Sequence, residues 1–466
     1  MSINNTHHGA KRIAEMLENC KSVYFIGIGG INMSSLAHIT YELGYRVGGS
    51  DRVRTELTAR LAERGICVNY CHSAENVRDY DAVVYTVAIS ADNPEYVYAL
   101  ENGLPCISRA DYLGYVMTRY NTRVGVSGMH GKSTCTSMCA EVLIDGGYDP
   151  TVLSGAELPA MNGAYCVGKS QRFVFEACEY MDSFLDFNPT VAVVLNVEMD
   201  HVDYFKSMEQ IRDSFAKYAA LTGKNGYAVY NADDPEVVRA LERYEGNRIS
   251  FGVKNEATLT AKNIRESCGR YGFDLFREER YVCRVELRVC GYHNVYNALA
   301  AAGACMLCGV SDEDIARGLG GFCGACRRME YKGSVGGADV YDDYGHHPTE
   351  IAATLAGAKR MTEGRLVCVY QPHTYSRTAA LLDEFVGAFD ACDRVIFAPI
   401  YAAREKNTFG VSSELLAERV GDKAGYGDSF EGIAKMLKSE LKAGDVAVVM
   451  GAGDVYRVFE YLDFEE

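Results

Sequence analysis

Short apolar runs alternate along the chain with stretches of helical periodicity, and each run ends in a polar or glycine-rich segment. Examples are residues 23–26, 124–126, 173–176, 191–197 and 366–370. Continuous apolar runs of this kind are typical of strands that are buried on both faces of a parallel sheet. Because the strands alternate with helices, the pattern predicts an α/β fold with parallel sheets.

The length of 466 residues predicts about three domains, if each takes roughly 150 residues. We place them at residues 1–120, 121–322 and 323–466. The first and third are predicted to be Rossmann-like, and the second to be a parallel-sheet domain of the P-loop ATPase type. Residues 120–123 and 320–324 are predicted hinges, and residues 254–290 are predicted to be a linker with a hairpin.

Composition narrows the class of protein. The net charge of −16 works against a general attraction to nucleic acid or to an anionic membrane. The 17 cysteines are scattered, and those with zinc-knuckle spacing lack histidine partners, so we interpret them as reduced thiols. No apolar run approaches the roughly 20 residues needed to span a bilayer. We expect a soluble, cytoplasmic monomer or homodimer without nucleic-acid or membrane partners.

Residues 124–136 combine a buried strand, a glycine turn with a Lys-Ser-Thr triplet, and a helix predicted over 134–143. Backbone amides at such a turn attract phosphate, Lys132 supplies a positive charge, and the hydroxyl of Ser133 suits Mg²⁺. The strict P-loop pattern is missed, since Val126 stands where that pattern has glycine. The alternative is an ordinary glycine turn between strand and helix.

Acidic residues and a histidine follow the next two predicted strands. Glu179 comes after the strand at 173–176, and His201 comes after the strand at 191–197. The carboxyl ends of parallel strands share one edge of a sheet, so these side chains and Ser133 are predicted to converge on a divalent cation. The alternative is that Glu179 and His201 are solvated loop residues.

A second glycine turn, at residues 27–35, follows the first predicted strand, and Ser50 and Asp51 end the next one. Taken alone, this arrangement suggests a nicotinamide dinucleotide site. The fingerprint is incomplete, because Asn32 stands where it requires glycine, and two glycines alone are weak support.

Three further segments carry polar side chains suited to ligands. Asn294 and Asn297 lie three residues apart at a predicted helix start, where amides suit the edge of a base and equally suit helix capping. Residues 342–350 and 371–378 each follow a predicted strand and together hold three histidines and one arginine. These side chains are natural partners for anions, although a histidine pair is often only a polar loop.

Taken in order, these segments resemble those of the Mur ligase family, the ATP-dependent amide-forming enzymes of peptidoglycan synthesis. The matching motifs are G-I-G-G-x-x-M-S and G-S-D, the compressed cradle G-x-x-G-K-S-T, parts of E-A-D-E-S-D and D-H-x-D, G-x-H-N-x-x-N, D-D-Y-x-H-H-P-T-E and Q-P-H-x-Y-S-R-T. Asp92–Glu95 also match, without a defined role. The chain departs from the family at Asn32, Cys178, Met181 and Thr374. The resemblance covers nearly the whole chain and implies the three-domain Mur ligase architecture.

The resemblance also implies roles for individual residues. UDP-sugar binding falls to Gly29, Gly30, Ser50, Asp51, His72, Thr86, Ala88 and Arg109. ATP binding falls to Gly128, Met129, His130, Gly131, Lys132, Ser133, Thr134, His293, Asn294, Asn297, Arg328 and Asp343. Amino-acid binding falls to Tyr344, His346, His373 and Arg377, and catalysis to Lys132, Glu179, His201, His346, His373 and Arg377. The implied cofactors are ATP and Mg²⁺, or Mn²⁺, held by Ser133, Glu179 and His201.

The last two signatures match the branch of the family that adds L-alanine. The implied reaction joins L-alanine to the lactyl carboxylate of UDP-N-acetylmuramate through an acyl phosphate, with ADP and phosphate as products. Three alternatives stay open. They are a recycling ligase that attaches an intact tripeptide to the same sugar nucleotide, an NAD-dependent oxidoreductase, and an ATP-binding regulator without chemistry, the last suggested by Cys178 and Met181.

Overall fold

The computed structural model describes residues 3–201, 204–403 and 405–465, and over these residues the strands form three sheets. The sheets are built from consecutive parts of the chain and are called here the first, second and third sheet. Each has helices packed against it, so the predicted α/β fold class is confirmed. No helix in the described parts of the chain has both the length and the apolar character required to cross a bilayer.

The first sheet is parallel, with strand order β3-β2-β1-β4-β5. Its elements are α1 Gly9–Met16, β1 Ser22–Ile26, α2 Ile31–Glu42, β2 Arg46–Ser50, α3 Glu56–Glu63, β3 Cys67–Asn69, a 3₁₀ turn Ala74–Val77, β4 Ala82–Tyr85, α4 Pro94–Glu101, β5 Cys106–Ser108 and α5 Arg109–Met117. All five residues of β1 are buried, as expected for a central parallel strand.

The second sheet has the order β15-β14-β13-β12-β11-β10-β6-β9-β7-β8. Its elements are β6 Thr122–Ser127, α6 Lys132–Asp145, β7 Thr151–Leu158, a 3₁₀ turn Pro159–Met161, β8 Gly163–Cys166, β9 Arg172–Glu176, a 3₁₀ segment Tyr180–Asp186, β10 Val191–Val194, α7 Met208–Ala220, β11 Tyr227–Asn231, α8 Pro235–Ala240, β12 Asn247–Gly252, β13 Leu259–Ser267, β14 Arg270–Arg277, β15 Arg280–Cys290, α9 His293–Leu307 and α10 Asp312–Gly321. The centre is parallel, and β8, β14 and β15 pair antiparallel.

The third sheet has the order β16-β17-β21-β18-β19-β20 and is parallel apart from β16. Its elements are β16 Glu330–Val335, β17 Ala338–Asp343, α11 Pro348–Lys359, β18 Leu366–Tyr370, α12 Tyr375–Ala380, α13 Leu382–Ala388, β19 Arg394–Phe397, α14 Ser413–Val420, β20 Ala424–Tyr426, α15 Phe430–Glu440, β21 Val446–Met450 and a 3₁₀ segment Val455–Tyr461. The exact domain boundaries at 120/121 and 322/323 stay predictions.

Several predicted elements are wrong in their extent. Residues 254–290 are not a linker, because β13, β14 and β15 extend the second sheet through alternating buried residues such as Phe273 and Leu275. The strand predicted over 191–197 ends at Val194. Helix α6 begins at Lys132, two residues earlier than predicted, because Gly131 takes the left-handed conformation at its N-cap. Gly320 and Gly321 end helix α10, and the hinge at residues 320–324 stays a prediction.

The first and second sheets share one continuous apolar core. Phe25 and Tyr112 from the first part belong to the same buried cluster as Phe173 and Phe184 from the second. Helix α5 approaches the segment Tyr180–Asp186 so closely that a Cβ on Gly114 would lie 1.9 Å from the carbonyl oxygen of Asp186. This packing brings the carboxyl edge of the first sheet against the edge of the second sheet that carries the glycine cradle.

Candidate active site

The glycine cradle between β6 and α6 is held in place by an asparagine. Asn196 accepts a hydrogen bond from the backbone amide of His130 at 2.8 Å and donates one to its carbonyl at 3.0 Å. Gly131 has φ of +81°, and a Cβ there would lie 2.6 Å from Oδ1 of Asn297. The turn therefore requires glycine, and helix α9 covers it.

Lys132 folds back over its own turn towards a buried carboxylate. Its ammonium donates to the carbonyl oxygens of Gly128 at 2.7 Å and Met129 at 3.0 Å, and lies 3.0 Å from Oε2 of Glu179. Burial alone would lower the pKa of Lys132, but Glu179, Cys178 and Glu176 together outweigh burial and raise it above its ordinary value. These contacts therefore hold the positive charge of Lys132 beside the cradle.

Glu179 also contacts His201, so the structure brings these predicted residues together. Nε2 of His201 lies 3.1 Å from Oε1 of Glu179, whose side chain is fully buried. Burial tends to raise the pKa of Glu179, but Lys132 and His201 lower it below its ordinary value. His201 has a left-handed backbone with φ of +49°. Asp203 of the same motif lies outside the described residues.

Ser133, the third predicted metal ligand, contacts a different glutamate. Its hydroxyl donates to Oε2 of Glu176 at 2.7 Å, and the amide of Gly155 donates to the same oxygen at 2.9 Å. The ammonium of Lys132 donates to Oε1 of Glu179 at 3.2 Å, whereas Oε2, although 3.0 Å from the same ammonium, is buried and makes no hydrogen bond within the described residues. The donors near the cradle are therefore a hydroxyl, two carboxylates and an imidazole. This set fits a hard divalent cation such as Mg²⁺, and the imidazole also suits Mn²⁺.

Asp200 connects this cluster to the third sheet. Its Oδ2 lies 4.0 Å from Nε2 of His201, and its Oδ1 lies 3.5 Å from Nη2 of Arg377 on α12. Burial tends to raise the pKa of Asp200, but His201 and Arg377 lower it below its ordinary value. Arg377 in turn lies 3.4 Å from Nδ1 of His373, whose ring stacks on that of Tyr401.

Glu350, on α11, closes the connection back to the cradle. Its Oε1 accepts from Nδ1 of His130 at 3.1 Å, and its Oε2 accepts from the amide of His346 at 3.2 Å. Burial alone would lower the pKa of His130, but the carboxylates of Glu350 and Glu198 raise it to about 10. His130 is therefore a cation held between the cradle and the third sheet.

These contacts form a polar circuit around the junction of the second and third sheets, with the rings of His346 and His373 6.0 Å apart. Its members are Lys132, Glu179, His201, Asp200, Arg377, His373, His346, Glu350 and His130. Glu198, which follows β10, contacts His130 of the cradle and also Thr349 of helix α11.

A cavity of about 710 Å³ opens beside the polar circuit. The predicted ATP residues that line it are His130, Gly131, Thr134, His293, Asn294, Asn297, Arg328 and Asp343. Asn297 donates to Asn294 at 2.9 Å, so each amide fixes the orientation of the other. Gly128, Met129, Lys132 and Ser133 lie in the cradle at its edge. Tyr344 lies under the guanidinium groups of Arg327 and Arg328.

The predicted UDP-sugar residues lie at the carboxyl ends of the strands of the first sheet. Gly29 and Gly30 follow β1, Ser50 and Asp51 end β2, His72 follows β3, Thr86 and Ala88 follow β4, and Arg109 follows β5. Ligands of open parallel sheets bind at this edge. Arg109 is packed near Cys178 and Asp186, which places it between the first sheet and the cradle side of the second.

Several of these residues already have partners within the protein. The amide of Gly29 donates to Oδ2 of Asp51 at 2.9 Å, so the carboxylate of Asp51 faces the glycine turn. The hydroxyl of Ser50 donates to Oε2 of Glu95 at 2.6 Å, and Nδ1 of His72 lies 2.7 Å from the same oxygen. Ser50 and His72 are thus held by the buried Glu95, for which the sequence analysis had defined no role.

Sequence reasoning missed several residues that organise the site. They are Glu95, Glu176, Asn196, Glu198, Asp200 and Glu350. Each lies within or beside a motif that the sequence did identify, and all except Asn196 are acidic. A stricter rule, that an acid at a strand end next to a predicted cation is part of the site, would have selected Glu176, Glu198 and Asp200, but not Glu95 and Glu350, which lie in helices α4 and α11.

Three family models match consecutive parts of the chain. They are the Mur ligase family catalytic domain at residues 22–121, the Mur ligase middle domain at 126–305 and the Mur ligase glutamate ligase domain at 327–453. Together with the relatives described next, these matches show that the chain belongs to the Mur ligase family.

Known ligases are similar to this chain over nearly its full length. The UDP-N-acetylmuramate–L-alanine ligase of Clostridium novyi is 45% identical over 95% of this chain and 97% of that relative. The crystal structure of the UDP-N-acetylmuramate–alanine ligase of Thermotoga maritima matches with a TM-score of 0.78 at 28% identity, over 94% of this chain and 98% of that one. A murein peptide ligase of Psychrobacter arcticus shares the fold, with a TM-score of 0.69 at 23% identity over 95% and 98% of the two chains.

Proposed function

We propose that this chain joins L-alanine to the lactyl carboxylate of UDP-N-acetylmuramate, using ATP and releasing ADP and phosphate. The polar circuit carries this proposal, because it links a phosphate cradle to a histidine- and arginine-rich end through a few short contacts. Two sites joined in this way suit a reaction in which a phosphorylated acid meets an amine. The 45% identity to a ligase named for this reaction supports the same assignment.

The cradle is assigned to the ATP phosphates. The amides of residues 128–134 and the ammonium of Lys132 would neutralise charge on the transferred phosphoryl group, which is the main contribution that proteins make to this chemistry. When phosphate enters, we expect Lys132 to leave the carbonyls of Gly128 and Met129 and to turn to the new anion. The cavity beside Asn294 and Asn297 would take the nucleoside.

The metal is assigned to the residues between the cradle and the polar circuit. Ser133, Glu179 and His201 would hold Mg²⁺ or Mn²⁺, with Glu176 as a further oxygen donor through its contact with Ser133. A bound divalent cation would screen the negative charges that meet at the phosphates. Glu179 keeps its carboxylate ionised in this place because Lys132 and His201 lower its pKa.

The two carboxylic substrates are assigned to opposite sides of this cluster. The carboxyl edge of the first sheet would hold the UDP-sugar, with its lactyl group near Arg109 and the cradle. L-Alanine would bind where Tyr344, His346, His373 and Arg377 meet, with its carboxylate on the guanidinium of Arg377. Attack of the amine on the acyl phosphate requires that water be excluded, and contacts of Glu350 and Glu198 with His130 would keep the third sheet docked while this occurs.

A phosphate-release assay tests the proposal. We expect release from ATP only when UDP-N-acetylmuramate is present together with L-alanine, and lower rates with glycine or L-serine. The product should gain the mass of one alanine residue. Incorporation of the intact tripeptide but not of free L-alanine would instead identify the recycling ligase. Binding of NAD(H) without release of phosphate would favour an oxidoreductase, and nucleotide binding without any turnover would favour a regulator.

A further inference from the structure

The two histidines at the amino-acid end carry their protons on different nitrogens. Nη1 of Arg377 lies 3.4 Å from Nδ1 of His373. A guanidinium group only donates hydrogen bonds, so Nδ1 of His373 must accept. The proton of the neutral ring is therefore on Nε2, which is a hydrogen-bond donor.

His346 has the opposite arrangement. Its Nδ1 lies 3.3 Å from the carbonyl oxygen of Tyr344 and 3.7 Å from Oε2 of Glu350. The carbonyl only accepts hydrogen bonds, so Nδ1 carries the proton and Nε2 carries the free lone pair. The carboxylate is too distant for a hydrogen bond, but its negative charge favours the same tautomer. Within the described residues, Nε2 has no hydrogen-bond partner, and the side chain keeps 22% of its exposure.

Glu350 is built to stay ionised and in place. The backbone amide of His346 donates a hydrogen bond to Oε2 of Glu350 at 3.2 Å. Its other oxygen is held by His130 at 3.1 Å and lies 4.0 Å from Arg328. Burial tends to raise the pKa of Glu350, but the positive charges of His130 and Arg328 lower it well below its ordinary value. The carboxylate is thus a fixed acceptor beside His346.

We propose that Nε2 of His346 accepts the proton of the L-alanine ammonium group, and that Glu350 is a positioning residue whose charge, 3.7 Å from Nδ1, stabilises the tautomer of His346 that the carbonyl of Tyr344 also selects. The proposal rests on the function proposed above. The ammonium group gives one proton to Nε2, and the freed lone pair of nitrogen forms the C–N bond with the acyl carbon. The C–O bond to phosphate breaks, and phosphate leaves with that electron pair and with the second proton of the nitrogen.

The surroundings of His346 also suggest how the substrate prepares its own base. Burial lowers the pKa of His346 to about 3, with Arg377 and His373 lowering it further and Glu350 and Asp200 opposing them. The ring is therefore neutral before the amino acid binds. When the carboxylate of L-alanine pairs with Arg377, that positive charge is compensated, and His346 becomes a stronger base in the complex than in the free protein.

The test compares two nucleophiles in the Glu350→Gln variant of the full chain. L-Alanine must lose a proton before it attacks, whereas hydroxylamine is already unprotonated at neutral pH and traps the acyl phosphate as a hydroxamate. The glutamine amide can offer its own N–H to Nδ1 and so favour the wrong tautomer. We expect the rate with L-alanine to fall about 10²-fold, and hydroxamate formation to stay within about threefold. Raising the pH towards the pKa of the free amino group should recover the L-alanine rate.

Glu198→Gln is the matched control, because Glu198 also contacts His130 but does not contact His346. In that variant the rates with the two nucleophiles should change together. Should Glu350→Gln slow both nucleophiles equally, or leave the pH profile with L-alanine unchanged, Glu350 only docks the third sheet and the proposal is wrong. If the wild-type protein turned over neither nucleophile, the proposed function itself would fail instead.

A second variant keeps the proposal open to refutation if Glu350→Gln does not fold. His346→Gln removes the acceptor without altering Glu350, and the same split between L-alanine and hydroxylamine is expected. Where both variants fold, combining them should cost no more with L-alanine than His346→Gln alone, because the two residues act through one proton transfer. Additive losses would show independent roles and would overturn the assignment.

Discussion

Two buried glutamates, Glu95 in helix α4 beside the first sheet and Glu179 after strand β9 of the second, are held by different kinds of partners. Both side chains are completely buried and both contact a histidine. Glu95 accepts from the neutral groups of Tyr24, Ser50 and Asn76 in addition to His72. Glu179 instead lies against the ammonium of Lys132.

The difference separates a scaffold from a reactive centre. Besides His72, the partners of Glu95 are a phenol, a hydroxyl and an amide, which are neutral and carry no charge for a ligand to draw away. The partners of Glu179 are a cation and an imidazole, which phosphate and a metal ion would draw away or share. A buried carboxylate with exchangeable charged partners is therefore the better marker of chemistry than burial alone. The predictions below test this contrast.

The largest effect is expected for Lys132→Ala. Loss of the charge at the phosphates should reduce turnover about 10³-fold or more, measured as phosphate release. Because Glu179 also loses its nearest cation, the free energy of unfolding should fall by about 3 kcal/mol, measured by urea denaturation.

The double variant Lys132→Ala/Glu179→Gln separates these two effects. Removal of the buried charge should restore most of the stability but none of the turnover. Recovery of activity in the double variant would contradict the role assigned to Lys132, and unchanged stability in the single variant would contradict the importance of the ion pair.

The next effect concerns the metal dependence of Glu179→Gln. A neutral amide is a poorer ligand for a hard cation, so we expect turnover to fall about 10²-fold and the Mg²⁺ concentration at half-maximal rate to rise. Mn²⁺ should recover part of the rate because His201 remains. A chelator should abolish wild-type turnover. Glu95→Gln is the control, and a change in its Mg²⁺ requirement would remove the distinction between the two glutamates.

A smaller effect is expected at the scaffold glutamate. Glu95→Gln weakens the hydrogen bonds that hold Ser50 and His72, so the KM for the UDP-sugar should rise about tenfold with kcat nearly unchanged. The free energy of unfolding should fall by about 1–3 kcal/mol. Glu75→Gln, at an exposed position on the neighbouring 3₁₀ turn, should change neither quantity. A fall in kcat equal to that of Glu179→Gln would show that Glu95 takes part in the chemistry.

The contrast between the glutamates also shows how far sequence reasoning reaches. The apolar runs and glycine turns predicted the α/β class and the order of the sites, because buried parallel strands and phosphate turns leave strong local patterns. The same patterns overlooked β13 and β14, whose exposed charged positions made the segment look like a linker. They also placed the start of α6 too late, because Gly131 sets it through a backbone angle.

The side chain that each acidic residue of the site contacts could not be predicted from the sequence. Glu176, Glu179 and Glu350 are all acids next to a motif, yet they contact Ser133, Lys132 and His130 respectively. Those pairings depend on how β9, α6 and α11 meet in space, which no spacing along the chain records. The roles of the predicted site residues stay predictions until variants are measured.

A third buried carboxylate sharpens the contrast through pH. Burial raises the pKa of Asp343 to about 6, with Arg328 opposing it, and among the described residues its carboxylate accepts from the amides of Gly345 and Met329 alone. The native state therefore holds a proton more tightly than the unfolded chain, so the contribution of Asp343 to stability is lost as pH rises from about 4 to about 6.

Relative to Asp343→Asn, the wild-type protein should lose up to about 3 kcal/mol across this window, measured by urea denaturation at each pH. Glu179 behaves in the opposite way, because its pKa in the native state is lowered. Compared with the Glu179→Gln variant, the wild-type protein should therefore gain stability as pH rises. The same slope for both pairs would mean that charged partners and backbone amides hold a buried carboxylate equally well.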